Sequence, residues 1–513
     1  MNSWNAGYVT DVGYTFGAYR ELAPTILNFT ALIAGFRSPD PNDALTYCEL
    51  GCGQGFSTNL LAAANPHIDF YATDFNPSHI AGAKALAAAA RTSNVHFFDK
   101  SFGEFGEESG LPEFDIIALH GIYSWISAEH RRDIVNFIRT RLKVGGLVYI
   151  SYNALPGWAP VMPLRRLMVD HANGVVGTTT QRVDQSLAFI QRLADVSPKY
   201  FGANPVAAER FEKIKASNRS YTAHEYYNRH LVPFYHADVC AELDDAKLSF
   251  VGSASLVDTM DAANLTPEQD AFLKTMPTLT MRETMRDFVL NQQFRRDVYV
   301  KGPVPLNAIE SRDRWARMRF ALTVRRDVVP LKIKGALGEA TLKEEIYKPI
   351  LDGLANGPRT PDELMSDPAI AAMGLLRVIQ ATTILVGAGH LQPSLNADGD
   401  ADRTAHTQSF NTAVMNRARS SDDLQSLASP VTGAATSVDR VSQLLLLALQ
   451  NKAEDPAQFA WNQLNAAGHK VMKDNKLLET PEDNLAEIQS MFKKFTDQQL
   501  AVLRSIGISG MVE

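Results

Sequence analysis

The chain has 513 residues, of which 45% are apolar and 21% charged, and 50 basic residues stand against 57 acidic ones for a formal net charge of −7. That length fits three or four domains at roughly 150 residues each; the composition excludes a largely disordered chain, and the acidic balance argues against a protein that lives on neutralising nucleic-acid phosphates. Cys48, Cys52 and Cys240 are too few for a disulfide framework and lack the second pair of a zinc site. Met1-Asn2-Ser3-Trp4-Asn5 has neither a basic nor an apolar region of a signal peptide, and the longest strongly apolar run, residues 444–449, is far below the ~20 residues of a membrane helix. A cytoplasmic protein with no membrane insertion and no nucleic-acid partner is expected.

Strand and helix signals alternate from about residue 45 to residue 173. Residues 45–50 form a short apolar run ending in a glycine cluster, which reads as a buried strand. Residues 57–64 read as a helix, and 69–73 as a second strand cut off by Asp74-Phe75-Asn76-Pro77. Ser78 opens a helix that continues through the alanine-rich residues 83–90. Further strands are predicted at 95–98, 114–120 and 147–152, with an amphipathic helix over 127–142 and a turn at 143–146. Strands separated by helices of this size mean βαβ units and a parallel sheet covered on both faces.

Beyond residue 175 helices dominate. Thr266-Pro267-Glu268-Gln269, Thr360-Pro361-Asp362-Glu363 and Thr480-Pro481-Glu482-Asp483 share one helix-starting device: a Thr cap, Pro in the first turn and an acid after it. Residues 342–393 have a three-helix rhythm that suggests a winged-helix-like module, yet its third helix offers Arg377 and little other charge for reading DNA. Residues 396–437, rich in Ala, Ser, Thr, Asp and Asn, read as a linker or long loop, and 438–450 and 484–504 as closing helices. His224, His230 and His236 recur every six residues, a spacing that does not align them on a helix face, so no metal site is expected.

Glu49-Leu50-Gly51-Cys52-Gly53-Gln54-Gly55 sits where the first strand meets the first helix of the sheet. Ligands of such sheets bind at this carboxyl edge, and glycines let backbone approach them closely. The dinucleotide fingerprint is G-x-G-x-x-G and aims a helix at a pyrophosphate. This sequence has G-x-G-x-G with an acid two residues ahead, which would repel a pyrophosphate and suit a ligand bearing an ammonium and a sulfonium. Asp74 ends the second strand 19 residues after Gly55, where a carboxylate can accept from both ribose hydroxyls. Asp99 ends the third strand, followed by Lys100 and Ser101, where an acid or amide often meets an adenine amino group. An α/β protein that binds another nucleoside, or no ligand at all, is the competing reading.

The whole pattern, with Phe114-Asp115-Ile116-Ile117 on the fourth strand, resembles the class I S-adenosylmethionine-dependent methyltransferases. A closer resemblance rests on Leu119-His120-Gly121-Ile122-Tyr123-Ser124-Trp125-Ile126, on Ser151-Tyr152-Asn153-Ala154-Leu155-Pro156-Gly157-Trp158, on His224-Glu225-Tyr226-Tyr227-Asn228 with Pro233-Phe234-Tyr235, and on the stretch from Met281-Arg282-Glu283 to Val300. These segments are similar to bacterial proteins that carry a methyltransferase regulatory domain behind the catalytic core, a group that includes lysine methyltransferases of outer-membrane proteins. The resemblance covers roughly residues 8 to 302. It implies a Rossmann-like α/β core with a mostly parallel seven-stranded sheet, whose last two strands fall at 247–251 and 298–301, and a large helical, partly winged-helix-like C-terminal region. The implied division is a cofactor-binding core over 1–175, a regulatory helical domain over 176–302, a winged-helix-like domain over 303–395, the linker over 396–437 and a C-terminal helical segment over 438–513. The helical material around 175–235 and 260–295 is expected inside the last two connections of the sheet.

On this resemblance S-adenosylmethionine is the cofactor, leaving as S-adenosylhomocysteine. Glu49, Gly51, Gly53, Gly55, Asp74, Phe75, Asp99, Lys100, Ser101 and His120 are the expected cofactor-binding residues. Methyl transfer is an in-line displacement that needs alignment and exclusion of water, not a covalent nucleophile. A lysine acceptor must lose a proton from a group whose reference pKa is about 10.4, and an apolar aromatic pocket assists by desolvating the ammonium. Candidates for the catalytic pocket are His120, Tyr123 and Trp125 after the fourth strand, Tyr152, Asn153 and Trp158 after the fifth, and Tyr14, which with Tyr8 and Tyr19 precedes the first strand as a lid. A protein or peptide is the favoured substrate. A small metabolite or lipid precursor, and a non-catalytic cofactor sensor or scaffold, are the alternatives. A homodimer is a further expectation.

Overall fold

The computed structural model describes residues 7–13 and 15–508. Seven strands form one sheet: β1 Thr46–Leu50, β2 Asp69–Asp74, β3 Val95–Asp99, β4 Phe114–Leu119, β5 Leu142–Asn153, β6 Leu248–Ser253 and β7 Phe294–Lys301. Their order is β3-β2-β1-β4-β5-β7-β6. β1 to β5 are parallel, and β7 runs antiparallel to β5 and β6 on either side. The core helices are α1 Pro24–Ile33, α2 Phe56–Ala64, α3 Pro77–Ala90, α4 Phe102–Gly106 and α5 Ala128–Arg141.

Pleating sends alternate side chains to opposite faces. Tyr47, Ile116 and Tyr149 face a core shared with α1 and with Trp315, Phe320, Ile350 and Leu385 from the C-terminal region. Cys48, Ile117 and Ile150 face a second core built on Phe105 of α4, Phe137 of α5 and Val239 and Leu243 of the helix His236–Asp244. The sheet is therefore buried on both sides, which is why its strands read as near-continuous apolar runs.

Two strands start four or more residues earlier than the sequence reading placed them. The predicted turn at 143–146 is the start of β5, which pairs from Phe114↔Leu142 onward across an irregularity in the register. β7 begins at Phe294, four residues early, because its ladder with β5 continues to Asn153↔Phe294. The helical material does lie inside the last two connections. Helices Met162–Asn173, Thr179–Asp195, Lys199–Ala203, Pro205–Ala216 and Arg219–Tyr226 separate β5 from the helix before β6, and Pro267–Lys274 and Leu279–Leu290 separate β6 from β7. Thr266, Thr360 and Thr480 each accept from the backbone N–H three residues on, at the starts Pro267, Pro361 and Pro481.

The stretch 396–437 is not a linker. It forms the helix Asp400–Arg417 and a hairpin of Ser426–Ser429 with Ala434–Ser437. Phe410, Val414 and Met415 bury one side of that helix against Phe56 and Leu60 of α2 and Leu86 of α3, and Ser409 donates to the Ala90 carbonyl at 2.7 Å. Small polar residues concealed this role, because a few well-spaced apolar side chains suffice for a helix that another layer covers. In the preceding region Arg319–Leu322 pairs antiparallel with Leu391–Ser394 around the helices Glu344–Leu354 and Leu375–Gly387. Gly374 splits the predicted third helix, leaving Pro368–Ala371 separate. Among the described residues no helix is long and apolar enough to cross a membrane.

Candidate active site

β1 continues into α2 on one side of the sheet while β4 lies on its other flank, so the strand order reverses beside β1. A crevice opens there at the carboxyl ends of the strands. It holds a cavity of about 510 Å³ lined from β1, β2, the loop after β4, the α4 and α5 N-termini, the N-terminal segment and residues 229–230.

Glu49 and Asp74, the last acids of β1 and β2, both line it. Glu49 is only 4% exposed, and Thr58 of α2 donates a short hydrogen bond to its Oε2. Burial pushes its carboxyl up to about 7; the Thr58 bond works against that shift and the nearby Asp74 adds to it. Asp74 accepts from the Gly53 N–H at 3.0 Å and the Asn76 N–H at 2.9 Å, and its Oδ1 lies 3.2 Å from His79 Nδ1. The Asn76 side chain meanwhile caps α3. The loop between the acids works only with glycine. At Gly51, φ is +75° and a Cβ would stand 2.5 Å from Ile122 Cδ1; at Gly55, φ is +66° and a Cβ would stand 2.5 Å from Ala83 Cβ.

Opposite the acids the wall is aromatic. The rings of Tyr19 and His120 stack with centroids 3.6 Å apart. His120 Nδ1 lies 2.9 Å from the Tyr149 hydroxyl. Burial, with help from the Arg296 charge, drives the imidazole down to about 3, so it is neutral at physiological pH. Burial also raises the Tyr8 and Tyr19 hydroxyls, with Asp74 adding to the first and Glu49 to the second. Tyr8 meets Phe75 edge-on at 5.8 Å. The N-terminal segment is pinned from the regulatory side: Val9 N–H donates to Asn228 Oδ1 at 2.9 Å, and the Val12 carbonyl lies 2.9 Å from His224 Nε2.

Of the residues expected from sequence, Glu49, Gly51, Gly53, Asp74, Phe75, Lys100, Ser101, His120 and Trp125 line the cavity, as do Tyr8 and Tyr19. Tyr14 lies outside the described residues. The remaining expected residues lie off the cavity wall. Gly55 packs behind the loop against Ala83 and Phe97. Asp99 is exposed at the end of β3. Tyr123 is buried and donates to Glu242 Oε2 at 2.5 Å, beside Arg131. Tyr152 is buried and donates to Asp297 Oδ2 at 2.7 Å. Asn153 takes a backbone bond with Ser124, and its buried Nδ2 has no partner among the described residues. Trp158 packs in the helical region against Tyr226 and beneath Arg210.

Phe102, His79, Arg229 and His230 also line the cavity and were not singled out for it from sequence. His79 follows Asp74 by five residues on the first turn of α3, a spacing that offers a signal. Arg229 and His230 carry none, since only the tertiary fold brings them over β1. His230 faces the cavity, His224 holds the N-terminal segment and His236 is buried beside Asp297. The three histidines thus go separate ways, and among the described residues no group of three His, Cys, Asp or Glu could hold a metal ion.

Residues 48–148 match the model of a methyltransferase domain, and residues 218–301 that of a predicted methyltransferase regulatory domain. The chain is 44% identical over 507 residues to the uncharacterized protein sll1526 of Synechocystis sp., covering 99% of this chain and 100% of that protein. It is 25% identical over 300 residues to the uncharacterized protein RP789 of Rickettsia prowazekii, covering 58% of this chain and 53% of that one. Its fold is similar to that of PKMT2 from Rickettsia typhi in complex with AdoHcy, with a TM-score of 0.69 and 17% identity over 96% of this chain and 99% of that chain. The chain belongs to the family of the Synechocystis protein, and with it to the class I S-adenosylmethionine-dependent methyltransferases that carry a methyltransferase regulatory domain.

Proposed function

We propose that the chain methylates the side-chain amine of lysine in a protein substrate, in the cytoplasm. The observation that carries this reading is the uncharged aromatic wall of Tyr8, Tyr19, His120 and Trp125 standing over an acidic cradle in one cavity. The cradle fits the cofactor on its own terms: two glycine positions leave no room for a Cβ, and a buried carboxyl sits where a cation would lower the cost of its charge. Bound S-adenosylmethionine supplies an activated methyl group on a sulfonium. Glu49 would hold its ammonium end, Asp74 would offer its remaining lone pairs to the ribose hydroxyls, and Phe75, Lys100 and Ser101 would border the adenine.

The chain's own part in transfer is desolvation and alignment. A lysine ammonium entering among Tyr19, His120 and Trp125 leaves water and meets no charge on His120, which is neutral. Its proton is then lost more readily than from a group in water, where the pKa is about 10.4. Aromatic faces also tolerate the methylated cation that forms. Trp158 packs in one cluster with Trp125 and Tyr8 behind this wall. The likeness to PKMT2 along nearly the whole chain supports the reading.

The test is transfer of labelled methyl groups from S-adenosylmethionine into a cell extract, separated into protein and small-molecule fractions. Label in lysine residues after hydrolysis of the protein fraction is the expected result. Label confined to small metabolites would favour the small-acceptor alternative and defeat the lysine reading.

A further inference from the structure

The helix Arg219–Tyr226 belongs to the regulatory region, yet it packs against Trp125 and Tyr8 of the cavity wall. Three contacts seat it there. The Trp125 indole N–H donates to the Glu225 carbonyl at 3.4 Å, the His224 ring lies 5.5 Å from the Tyr8 ring, and Asn228 just beyond the helix holds the Val9 N–H. Tyr221 and Glu225 stand one turn apart on the same face of this helix. Tyr221 is 43% exposed, whereas Tyr8 and Tyr19 line the cavity. Glu225 thus lies along the helix between a surface tyrosine and the Trp125 that lines the cavity.

Glu225 is the unusual member. It is half-buried, and its carboxylate makes no hydrogen bond or ion pair among the described residues, unlike Glu49 and Asp74. Burial lifts its carboxyl to about 7, and the Arg210 charge offsets only part of that. It is close enough to raise the hydroxyls of Tyr8, Tyr19 and Tyr221 in turn. Arg210 itself is engaged elsewhere, donating to the Tyr226 hydroxyl and Gln293 and lying over Trp158. An unpaired carboxylate amid these three tyrosines is costly unless a cation joins it.

We propose that Glu225 is the acceptor-binding residue, anchoring the ammonium of the incoming alkylamine side chain between Tyr221 and Tyr19 on its way to the methyl group. The regulatory region then supplies half of the acceptor site, and the core alone recognises cofactor but not substrate. This inference rests on the lysine reading and adds to it a named contact.

The experiment titrates n-butylammonium, a mimic of the lysine side chain, into the full chain loaded with S-adenosylhomocysteine, with n-butanol as the uncharged control and Trp fluorescence as the readout. Wild type is expected to bind n-butylammonium about ten-fold more tightly than Glu225→Gln, the order expected of one charge-assisted hydrogen bond, with S-adenosylhomocysteine affinity unchanged between them. n-Butanol should bind both proteins equally weakly. Equal n-butylammonium affinity in the two proteins, or n-butanol binding as tightly as n-butylammonium, would overturn the proposal. Failure of the extract assay with Glu225-dependent amine binding intact would count against lysine and for another amine acceptor, so the two failures are distinguishable.

Discussion

At the scale of single residues, the site turns on a carboxyl kept in an unfavourable place. Glu49 would ionise near 4.3 in an unfolded chain, but burial lifts it to about 7 in the fold. A carboxyl whose pKa is higher folded than unfolded stabilises the protein below its unfolded value, and that contribution is lost as pH rises through the folded value. Ligand-free wild type should therefore lose stability relative to Glu49→Gln between about pH 5 and about pH 8, by roughly 3 kcal/mol at most, and thermal melts across that range read the difference. Parallel melting profiles would contradict the assignment. The loop makes a second residue-scale prediction. Gly51→Ala places a Cβ against Ile122 at a left-handed φ, so calorimetry should show S-adenosylhomocysteine affinity falling more than ten-fold, by about 1.4 kcal/mol or more, while the fold survives. Glu49, Asp74 and the glycines were legible in sequence because acids at strand ends followed by closely spaced glycines have few other uses. Arg229 and His230 were not, because nothing local marks a residue that reaches the site from some 180 positions away.

At the scale of elements, the strand parity of β5 separates residues that look alike in sequence. Tyr149 faces α1 and meets His120, whereas Tyr152 lies three residues on and therefore points to the opposite face. There it joins a fully buried network. Arg295 Nε holds both oxygens of Asp297 at 3.0 and 2.9 Å, and Tyr152 and His236 reach the same carboxylate. Burial would raise Asp297, but the Arg295 charge outweighs it and holds the carboxyl down at about 2. Removing one partner of a buried pair leaves the other uncompensated, so Asp297→Ala should cost about 3–5 kcal/mol in denaturant unfolding. Tyr152→Phe should cost only about 1 kcal/mol and leave cofactor affinity unchanged. A Tyr152→Phe protein of normal stability that had lost transfer would contradict this structural placement. An aromatic after a strand end is visible in sequence, but the face it takes depends on register, which a five-residue shift in the start of β5 conceals.

For the whole molecule, the C-terminal third is part of the layer that holds the site. Phe410 stacks on Phe56 at the start of α2, directly after the glycine loop, and Asn65 at the end of α2 donates to the Gly433 carbonyl at 2.9 Å. Deleting residues 396–513 would bare Leu60 and Leu86, so the truncated protein should aggregate and fail to bind S-adenosylmethionine, as light scattering and calorimetry would show. Full-strength binding by a soluble truncated chain would contradict it. The alternating core was readable from its apolar runs and caps. This cover was not, because its helix buries a narrow apolar stripe within an otherwise polar stretch.

The central claim is that Glu49, Asp74 and the loop between them hold S-adenosylmethionine, and titration calorimetry on Asp74→Ala tests it most directly. Loss of the ribose contacts should weaken binding at least ten-fold, equivalent to about 1.4 kcal/mol, while the ligand-free protein stays folded but melts lower, because the Gly53 and Asn76 N–H groups lose their acceptor. Affinity equal to that of wild type would place the cofactor elsewhere and contradict the account.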